Sequence, residues 1–390
     1  MACYISSRNN RFYTSLESGY GIAAQVTEAN RIPAVRLAMH HQQELPERRD
    51  KTGGRTFIGL PPGFRKRTSF ELETFLTSWS EPAGEPAYGP LFQAALGGAP
   101  VFFSGGTLQS VTGETQLTFL APHGLVADQA IECEGELRFV DAIVDPVSVV
   151  INSPFRKTPA QASLIGPTVT YLPATELPSV SIHDYWDPQS AVQRILAGCG
   201  VDRLRIGVNG DFHAFRFSGI AKDLVDSATH TANQAGLVSF PTEPAIGEWN
   251  YTVVPGNLGQ AWMGNVPSEF FSLLEAEIIL DNDLEGRHHE FGSDTPQCLV
   301  AGRRRVEMNF RIYGNDEPET TALYQAARQR SPIPIMLQLG QQGSQLCGVY
   351  MKGVVPTVPE FDDRDKSLQW RFSGSRAQGT SNDELVIAFG

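Results

Sequence analysis

The sequence predicts a mainly β protein with more than one domain. Its 390 residues exceed an average domain, and 41% of them are hydrophobic, which suffices for the cores of two or three units. The 37 glycines and 26 prolines are residues that mark turns. Several runs alternate apolar and polar side chains with a period of two, the pattern of a half-buried strand.

The overall charge is acidic, with 43 acidic against 31 basic side chains and a net charge of −12. Negative charge favours solubility and repels phosphate, whereas proteins that bind nucleic acid are normally basic. No apolar run reaches the length of a membrane-spanning helix, and we expect no signal peptide. The five cysteines form no CxxC pair, which favours reduced thiols over disulfides or zinc: Cys3, Cys133, Cys199, Cys298 and Cys347.

An internal repeat is visible in two strand-like segments. Residues 63–75 (GFRKRTSFELETF) and 301–313 (AGRRRVEMNFRIY) each contain a basic triplet followed by an alternating run. The alternation predicts that each strand buries one set of side chains, namely Thr68, Phe70, Leu72 and Thr74 in one copy and Val306, Met308, Phe310 and Ile312 in the other.

A predicted helix follows each strand, at 91–96 and 323–328, because apolar residues change there to helical spacing. An apolar stretch comes next, at 99–103 and 333–337. Strand, helix and strand thus recur in order at a spacing of about 235 residues. This recurrence predicts duplication of one structural unit.

The segment between the copies, 111–176, has three basic and eight acidic residues. Short strand-like runs at 117–120, 136–140, 147–151 and 168–171 are separated by turn residues. This pattern predicts an inserted small β-barrel or sandwich module, and so a division into 1–110, 111–176 and 177–390.

The third segment is predicted to begin with a helix, with Asp187 as N-cap, Pro188 in the first turn and Gly198 or Gly200 at its end. Asn209-Gly210 then predicts a β-hairpin, and 368–374 a last strand.

A long loop, 40–67, precedes the first basic-triplet strand. From residue 44 onward it holds three acidic and seven basic side chains, and the basic ones are Arg48, Arg49, Lys51, Arg55, Arg65, Lys66 and Arg67. Loops of this length carry function or are disordered, so an assembly contact and a mobile surface loop are both open at this point.

Catalytic motifs are missing: the sequence contains no GxSxG, Walker A, strand-associated GxGxxG or HExxH pattern. The segment from Asp281 resembles a calcium loop, but Gly292 stands where a bidentate Glu is needed. The histidine pairs at 40–41 and 288–289 point to opposite faces of a strand and cannot chelate one metal. We expect Cys199 to be a buried structural thiol and the basic triplets to be solvated or ion-paired. The sequence therefore predicts no enzyme, no metal and no cofactor.

The tandem strand–helix–strand units, the long polar loop before the basic-triplet strand and the lack of catalytic motifs resemble bacteriophage tail tube proteins. More narrowly, they resemble the duplicated-domain tube subunits of long-tailed phages, over roughly 1–110 and 180–390. The resemblance implies two tail-tube-type β-sandwich or barrel domains, each flanked by a helix, with strands joined across subunits. Six such domains in a ring imply a homotrimer with pseudo-sixfold symmetry.

The resemblance also implies a place in the virion tail after assembly in the host cytoplasm. The implied partners are further copies of the chain, the tape measure protein, and the terminator and baseplate proteins. DNA passes through such a tube without specific binding. On this hypothesis the basic loop contacts an acidic face of the next ring, and the inserted module faces outward.

Two other classes remain open. A distal adaptor or baseplate hub shares this fold type, and a hydrolase or carbohydrate-binding β protein could carry an unrecognised site. Dispersed tryptophans argue against a binding cleft: Trp79, Trp186, Trp249, Trp262 and Trp370.

Overall fold

The computed structural model of the chain describes residues 4–44, 51, 53–55, 59, 65–79, 84–247, 251–264, 267–270 and 272–390. The fold is mainly β, with 47% strand and two α-helices, as the sequence predicts. Within the described ranges, none of the helices has the length and apolar character needed to cross a membrane.

In chain order, the first strands of the described residues are β1 (Asn10–Leu16), β2 (Arg31–Ile32), β3 (Ala34–Gln43), β4 (Lys66–Phe75), β5 (Val101–Phe103), β6 (Gly106–Thr112), β7 (Gln116–Phe119), β8 (Ala130–Cys133), β9 (Glu136–Asp145), β10 (Ser148–Ile151) and β11 (Leu164–Ile165). Further strands are β12 (Thr168–Tyr171), β13 (Val180–Trp186), β14 (Arg194–Val208), β15 (Ala214–Ala221), β16 (Asp223–Asp226), β17 (Gly259–Met263), β18 (Ser268–Glu269), β19 (Leu273–Asp281), β20 (Glu285–Gly286), β21 (Leu299–Val300), β22 (Arg305–Tyr313), β23 (Ile333–Leu339), β24 (Cys347–Val355), β25 (Glu360–Asp362), β26 (Gln369–Ala377) and β27 (Val386–Phe389). The helices are α1 (Gly89–Leu96) and α2 (Pro318–Gln329), and a 3-10 turn lies at Glu28–Asn30.

Nineteen strands belong to one hydrogen-bonded sheet that is nearly closed and barrel-like. One part of it, which we call the eight-strand sheet, runs in the antiparallel order β3–β4–β15–β14–β19–β22–β26–β25. A second part runs β5–β12–β27–β24–β23–β17–β18. A third part contains β2, β1, β13, the start of β14, and β16.

The core lies under the eight-strand sheet. All eight alternating residues predicted from β4 and β22 are buried, as are Phe215 and Phe217 of β15 and Phe372 of β26. They share one core with α1 and with Phe389 of β27. The Phe92 ring of α1 stands edge-on to Phe215 and Phe217, with centroids 5.2 Å apart in both cases.

The two helices predicted after the basic-triplet strands are confirmed as α1 and α2, and local residues determine where α1 begins and ends. Pro90 lies in the first turn of α1, where a missing N–H costs nothing. Gly97 ends this helix at φ 99°, and its N–H donates to the Gln93 carbonyl at 2.7 Å.

The predicted helix after Asp187 is wrong, because residues 194–208 form the 15-residue strand β14. The run from Ile195 to Val201 is buried throughout, because both faces of β14 are packed. Ile195 and Ala197 belong to a small cluster with Val225, whereas Leu196, Cys199 and Val201 belong to the main core. A strand buried on both faces loses the period-two signal, and its apolar residues then resemble a helical stripe. The predicted hairpin is confirmed: Asn209 has φ 61° in the turn between β14 and β15.

The inserted segment forms a six-stranded sheet in the order β11–β6–β7–β10–β9–β8, with a small core of its own. The predicted strand at 168–171 is β12, which belongs to the large sheet between β5 and β27. Moreover, β14 and β15, assigned to the segment 177–390, pair with strands of both halves. The sequence division into three domains stays a prediction. The strand at 368–374 is confirmed within β26, although β27 follows it.

Arg138 anchors the inserted sheet to the large sheet. Its side chain is fully buried, and its guanidinium donates to the Pro154 carbonyl at 2.8 Å and to Gln260 at 3.1 Å. The same guanidinium lies 5.0 Å from the Trp262 ring centroid. Burial lowers the pKa of Arg138 to about 10, although the Glu136 carboxylate, 2.5 Å from the guanidinium, acts in the opposite direction.

Candidate assembly surface

The eight-strand sheet contains the same four-strand unit twice. We call β3, β4, β15 and β14, with helix α1, the first copy, and β19, β22, β26 and β25, with helix α2, the second copy. In both copies each strand pairs with the next one in this order. In both, the second strand leads into the helix and then into a further strand, β5 or β23. Two units with this shared connectivity support the predicted duplication.

A shared irregularity fixes the equivalence residue by residue. The β3–β4 register shifts between Ala34 and Arg36, opposite Thr74 and Glu73. The β19–β22 register shifts between Leu273 and Glu275, opposite Ile312 and Arg311. Because the repeat aligns Thr74 with Ile312, the two bulges occupy the same place, and such bulges are specific features of a fold.

Sequence reasoning missed a second repeat that the strand pairing reveals. The tetrapeptide Arg-Phe-Ser-Gly occurs at 216–219 in β15 and at 371–374 in β26. Phe217 pairs with Leu72, and Phe372 pairs with the equivalent Phe310. The six-stranded insertion lies inside the first copy, so this repeat has a shorter spacing than the basic triplets. A search for identical short peptides at any spacing would have found it.

The two copies join edge to edge inside the chain, where β14 pairs with β19. Ile206 and Ile278 face each other across this internal junction, and both are buried. Arg203 forms an ion pair with Asp281 at 2.6 Å. Burial acts to raise the pKa of Asp281, but the hydrogen bond from Arg203 and the local backbone outweigh it and lower this pKa.

The two outer edges of the eight-strand sheet are β3 and β25. Among the described residues, β3 pairs only with β4, and β25 pairs only with β26. Apolar side chains lie exposed there, with Val35 at 55% and Phe361 at 58% exposure. Open edges of this kind are templates for pairing with another chain.

The side of the eight-strand sheet that faces away from the core, which we call the polar face, is lined by ion pairs between neighbouring strands. An open depression of about 860 Å³ lies on this face. The pairs are Arg216–Glu73 at 3.1 Å, Arg203–Asp281 at 2.6 Å, Arg205–Glu277 at 3.6 Å, Arg311–Glu275 at 2.5 Å and Arg376–Glu307 at 3.2 Å. Each is partly exposed and contributes little to stability, but together they match positive with negative charge.

The predicted loop residues that the structure describes lie in different surroundings. Arg48 and Arg49 lie outside the described residues, while Lys51 and Arg55 are exposed. Arg67 pairs with Glu44 at 3.3 Å. The remaining two hold the start of β4: the Arg65 carbonyl accepts from the Glu44 N–H at 2.8 Å, and the Lys66 ammonium lies 3.3 Å from Asp294.

The cysteine, metal-ligand and tryptophan candidates from the sequence do not come together in one site among the described residues. Cys199 is buried, and burial raises the pKa of its thiol. Among the described residues, no three His, Cys, Asp or Glu side chains are placed to hold a metal ion. Of the tryptophans, Trp79 packs on Phe389 and Trp370 on Phe361, and Trp249 lies outside the described residues.

The sequence matches no protein-family model, and it matches no curated protein.

Proposed function

We propose that this protein is the ring-forming subunit of a phage tail tube, with three chains in each ring. The observation that carries the proposal is the internal junction, where one chain already joins two equivalent units edge to edge. Within the described ranges, each unit also has an outer edge with no strand paired to it. Repetition of this contact between chains is head-to-tail, and a head-to-tail contact closes into a ring when its rotation divides the circle.

The expected dimensions fit a conduit. Three eight-strand sheets make a barrel of 24 strands. With about 4.8 Å between strands and a tilt of about 40°, such a barrel is roughly 48 Å across between backbones. Side chains reduce this width by about 10 Å, which leaves a passage wider than a DNA duplex. Ring closure also removes both open strand edges.

The polar face would line that passage, because the opposite face of the sheet is the core. Its arginines are held by carboxylates on neighbouring strands, such as Arg216 by Glu73 and Arg311 by Glu275. An arginine that is already paired gains less from a passing phosphate, since the carboxylate must first be displaced and left unpaired. The net charge of −12 acts in the same direction.

On this proposal the chain is a virion structural protein and not an enzyme. Its partners are copies of itself, the tape measure protein, and the terminator and baseplate proteins at the two ends of the tail. The loop that holds Lys51 and Arg55 is the proposed contact between stacked rings, since both side chains are exposed.

The test is electron microscopy of the purified full chain together with its mass in solution by light scattering. We expect hollow rings or rods, and a ring mass of three chains of 42.6 kDa each. Single rings that never stack favour an adaptor or hub at one end of a tail. Monomers without central holes at high protein concentration would overturn the proposal.

A further inference from the structure

We infer that a second copy of this chain docks on β3 through β25 in one defined register, with Phe361 opposite Met39, Glu360 opposite His40 and Asp362 opposite Ala38. This inference rests on the proposed ring, and it adds which residues meet and why other pairings are rejected.

The register follows from the internal junction, where Ile206 faces Ile278 and Gly207 faces Glu277. On one side, Ile206 pairs with Phe215 just as Phe361 pairs with Trp370, so Phe361 takes the place of Ile206.

On the other side, Ile278 pairs with Met308 just as Met39 pairs with Phe70. Phe70 and Met308 are equivalent in the repeat, so Met39 takes the place of Ile278. At the internal junction Ile206 faces Ile278, so between chains the equivalent residues Phe361 and Met39 face each other.

The apolar side chains at this contact lack the cover that their counterparts have. Phe361 is 58% exposed and stacks on Trp370, with ring centroids 5.2 Å apart. Met39 is half-buried and packs against the main core. The counterparts Ile206 and Ile278 are both fully buried. Docking would extend the core across the boundary and bury the exposed part of the Phe361 ring.

The internal junction and the proposed contact between chains place their charges on opposite strands. At the internal junction β14 carries Arg203 and Arg205, while β19 carries Asp281 and Glu277. At the outer edges the acidic strand is β25, with Glu360 and with Asp362, which in the single chain is paired with Arg364 at 2.5 Å and would exchange this partner on docking.

The β3 edge supplies Arg36 and His40, which flank Ala38 on the same face. Asp362 opposite Ala38 is diagonal to both, within reach of long side chains. The outer edges are therefore complementary in charge.

The reversed charges also disfavour pairing of β25 with the wrong strand, β19 of another chain. If β25 displaced β14 from the β19 of another chain, Glu360 and Asp362 would face a strand that carries Glu277 and Asp281. Like charges opposite each other on paired strands are destabilising, so the correct edges are selected by attraction and by repulsion.

A disulfide scan of the full chain tests this register. The variant Ala38→Cys/Asp362→Cys places two thiols directly opposite, where antiparallel Cα atoms lie about 4.5–5.5 Å apart and a disulfide fits. The matched control Ala38→Cys/Glu360→Cys moves one thiol to a diagonal position about 7–8 Å away. Each variant is first compared with the unchanged chain by thermal unfolding, then oxidised and run on a non-reducing gel.

We expect covalent species of up to three chains from the first variant and at least tenfold less from the control. Equal cross-linking in the two, or more in the control, overturns the register. Hollow rings without the expected cross-link overturn the register and leave the tube proposal standing. Cross-links without hollow rings support the docking contact and overturn the tube. Neither rings nor cross-links overturns both.

Discussion

The two copies share one architecture, but their helices differ in surroundings. Every residue of α1 except Gln93 is buried, whereas α2 buries only Thr320, Leu323, Ala326 and Ala327. Helix α1 is covered by β1, β12 and β13, which lie outside the four-strand unit. Neighbouring structure, more than the unit itself, decides how much of each helix is buried.

The aromatic residues of the two helices differ in burial in the same way. Phe92 of α1 lies in the core, while the equivalent Tyr324 of α2 is half-buried beside Phe361 and Trp370. A tyrosine can keep its hydroxyl in water and its ring on an apolar partner, which suits a partly covered position.

The largest expected effect comes from truncating Phe92. Phe92→Ala should reduce the free energy of unfolding by about 3–5 kcal/mol, because it empties a fully buried aromatic site. Tyr324→Ala is the matched control in the second copy and should cost clearly less in the isolated chain. Denaturant unfolding measures both. Equal losses would contradict the difference in burial described above.

The second effect is acid sensitivity near the first copy. Burial lowers the pKa of His183 to about 4, although the hydrogen bond between its Nε2 and the Ala24 carbonyl acts the other way. An unfolded histidine binds a proton near pH 6.5, so the unfolded state gains protons first and stability falls as the pH drops from 6.5 towards 4. The loss should reach about 3 kcal/mol, from about 1.4 kcal/mol per pKa unit.

Hydrogen exchange at pH 7 and pH 4.5 measures where this loss occurs. We expect faster exchange in β13 and β14 at the lower pH, with β22 and β26 of the second copy changing less, because those two strands contain no histidine. His289→Gln, at an exposed position, serves as the control and should show the same difference in exchange between the two pH values as the unchanged chain. Uniform loss of protection across both copies would assign acid unfolding to other groups.

The third effect compares the equivalent residues Asn282, which follows the last paired residue of β19, and Gln43, which is the last paired residue of β3. The Asn282 amide donates to the Ala95 carbonyl of α1 at 2.8 Å and to the Val201 carbonyl at 3.0 Å. Asn282→Ala should cost about 1–3 kcal/mol, because it leaves two buried carbonyls with fewer donors. Gln43→Ala is exposed and should change the unfolding of the isolated chain by less than about 0.5 kcal/mol. Similar costs at the two positions would mean that the amide does not hold the copies together.

The smallest effect on stability concerns the polar face. Glu73→Gln removes the carboxylate that holds Arg216 and should cost less than about 1 kcal/mol, as for other exposed pairs. Retention of DNA fragments by the assembled protein at low salt should nevertheless rise, because one arginine in each chain loses its partner. Glu114→Gln makes the same charge change at an exposed position of the inserted sheet and should leave retention unaltered. Equal retention by both variants would argue that net charge alone keeps DNA away.

Much of the fold could be predicted from local periodicity. The strands β4 and β22 bury one face and expose the other, so their alternation is visible in the sequence, and α1 and α2 follow at helical spacing. The central strand β14 could not be recognised, because burial on both sides removes the alternation. Its glycines, including Gly198 at φ 68°, resembled the end of a helix.

The assembly surface could not be predicted in the same way. The pairs Arg216–Glu73 and Arg311–Glu275 join residues that are distant in sequence, and only the strand order brings them together. The open edges depend on the same order, since an edge strand has the composition of its paired neighbours. The Arg-Phe-Ser-Gly repeat was the one local signal of this arrangement.

In the proposed ring, the covalent link between the copies changes what must happen for the ring to close. Six separate units would need five encounters in solution before the sixth contact closed the ring, and each encounter would lose translational and rotational freedom worth about 4–15 kcal/mol. With β14 and β19 on one polypeptide, half of these contacts form during folding at a high effective concentration, and only three remain to be made between molecules. A partly built annulus is then a less frequent intermediate, and its completion depends less steeply on how much protein the cell contains.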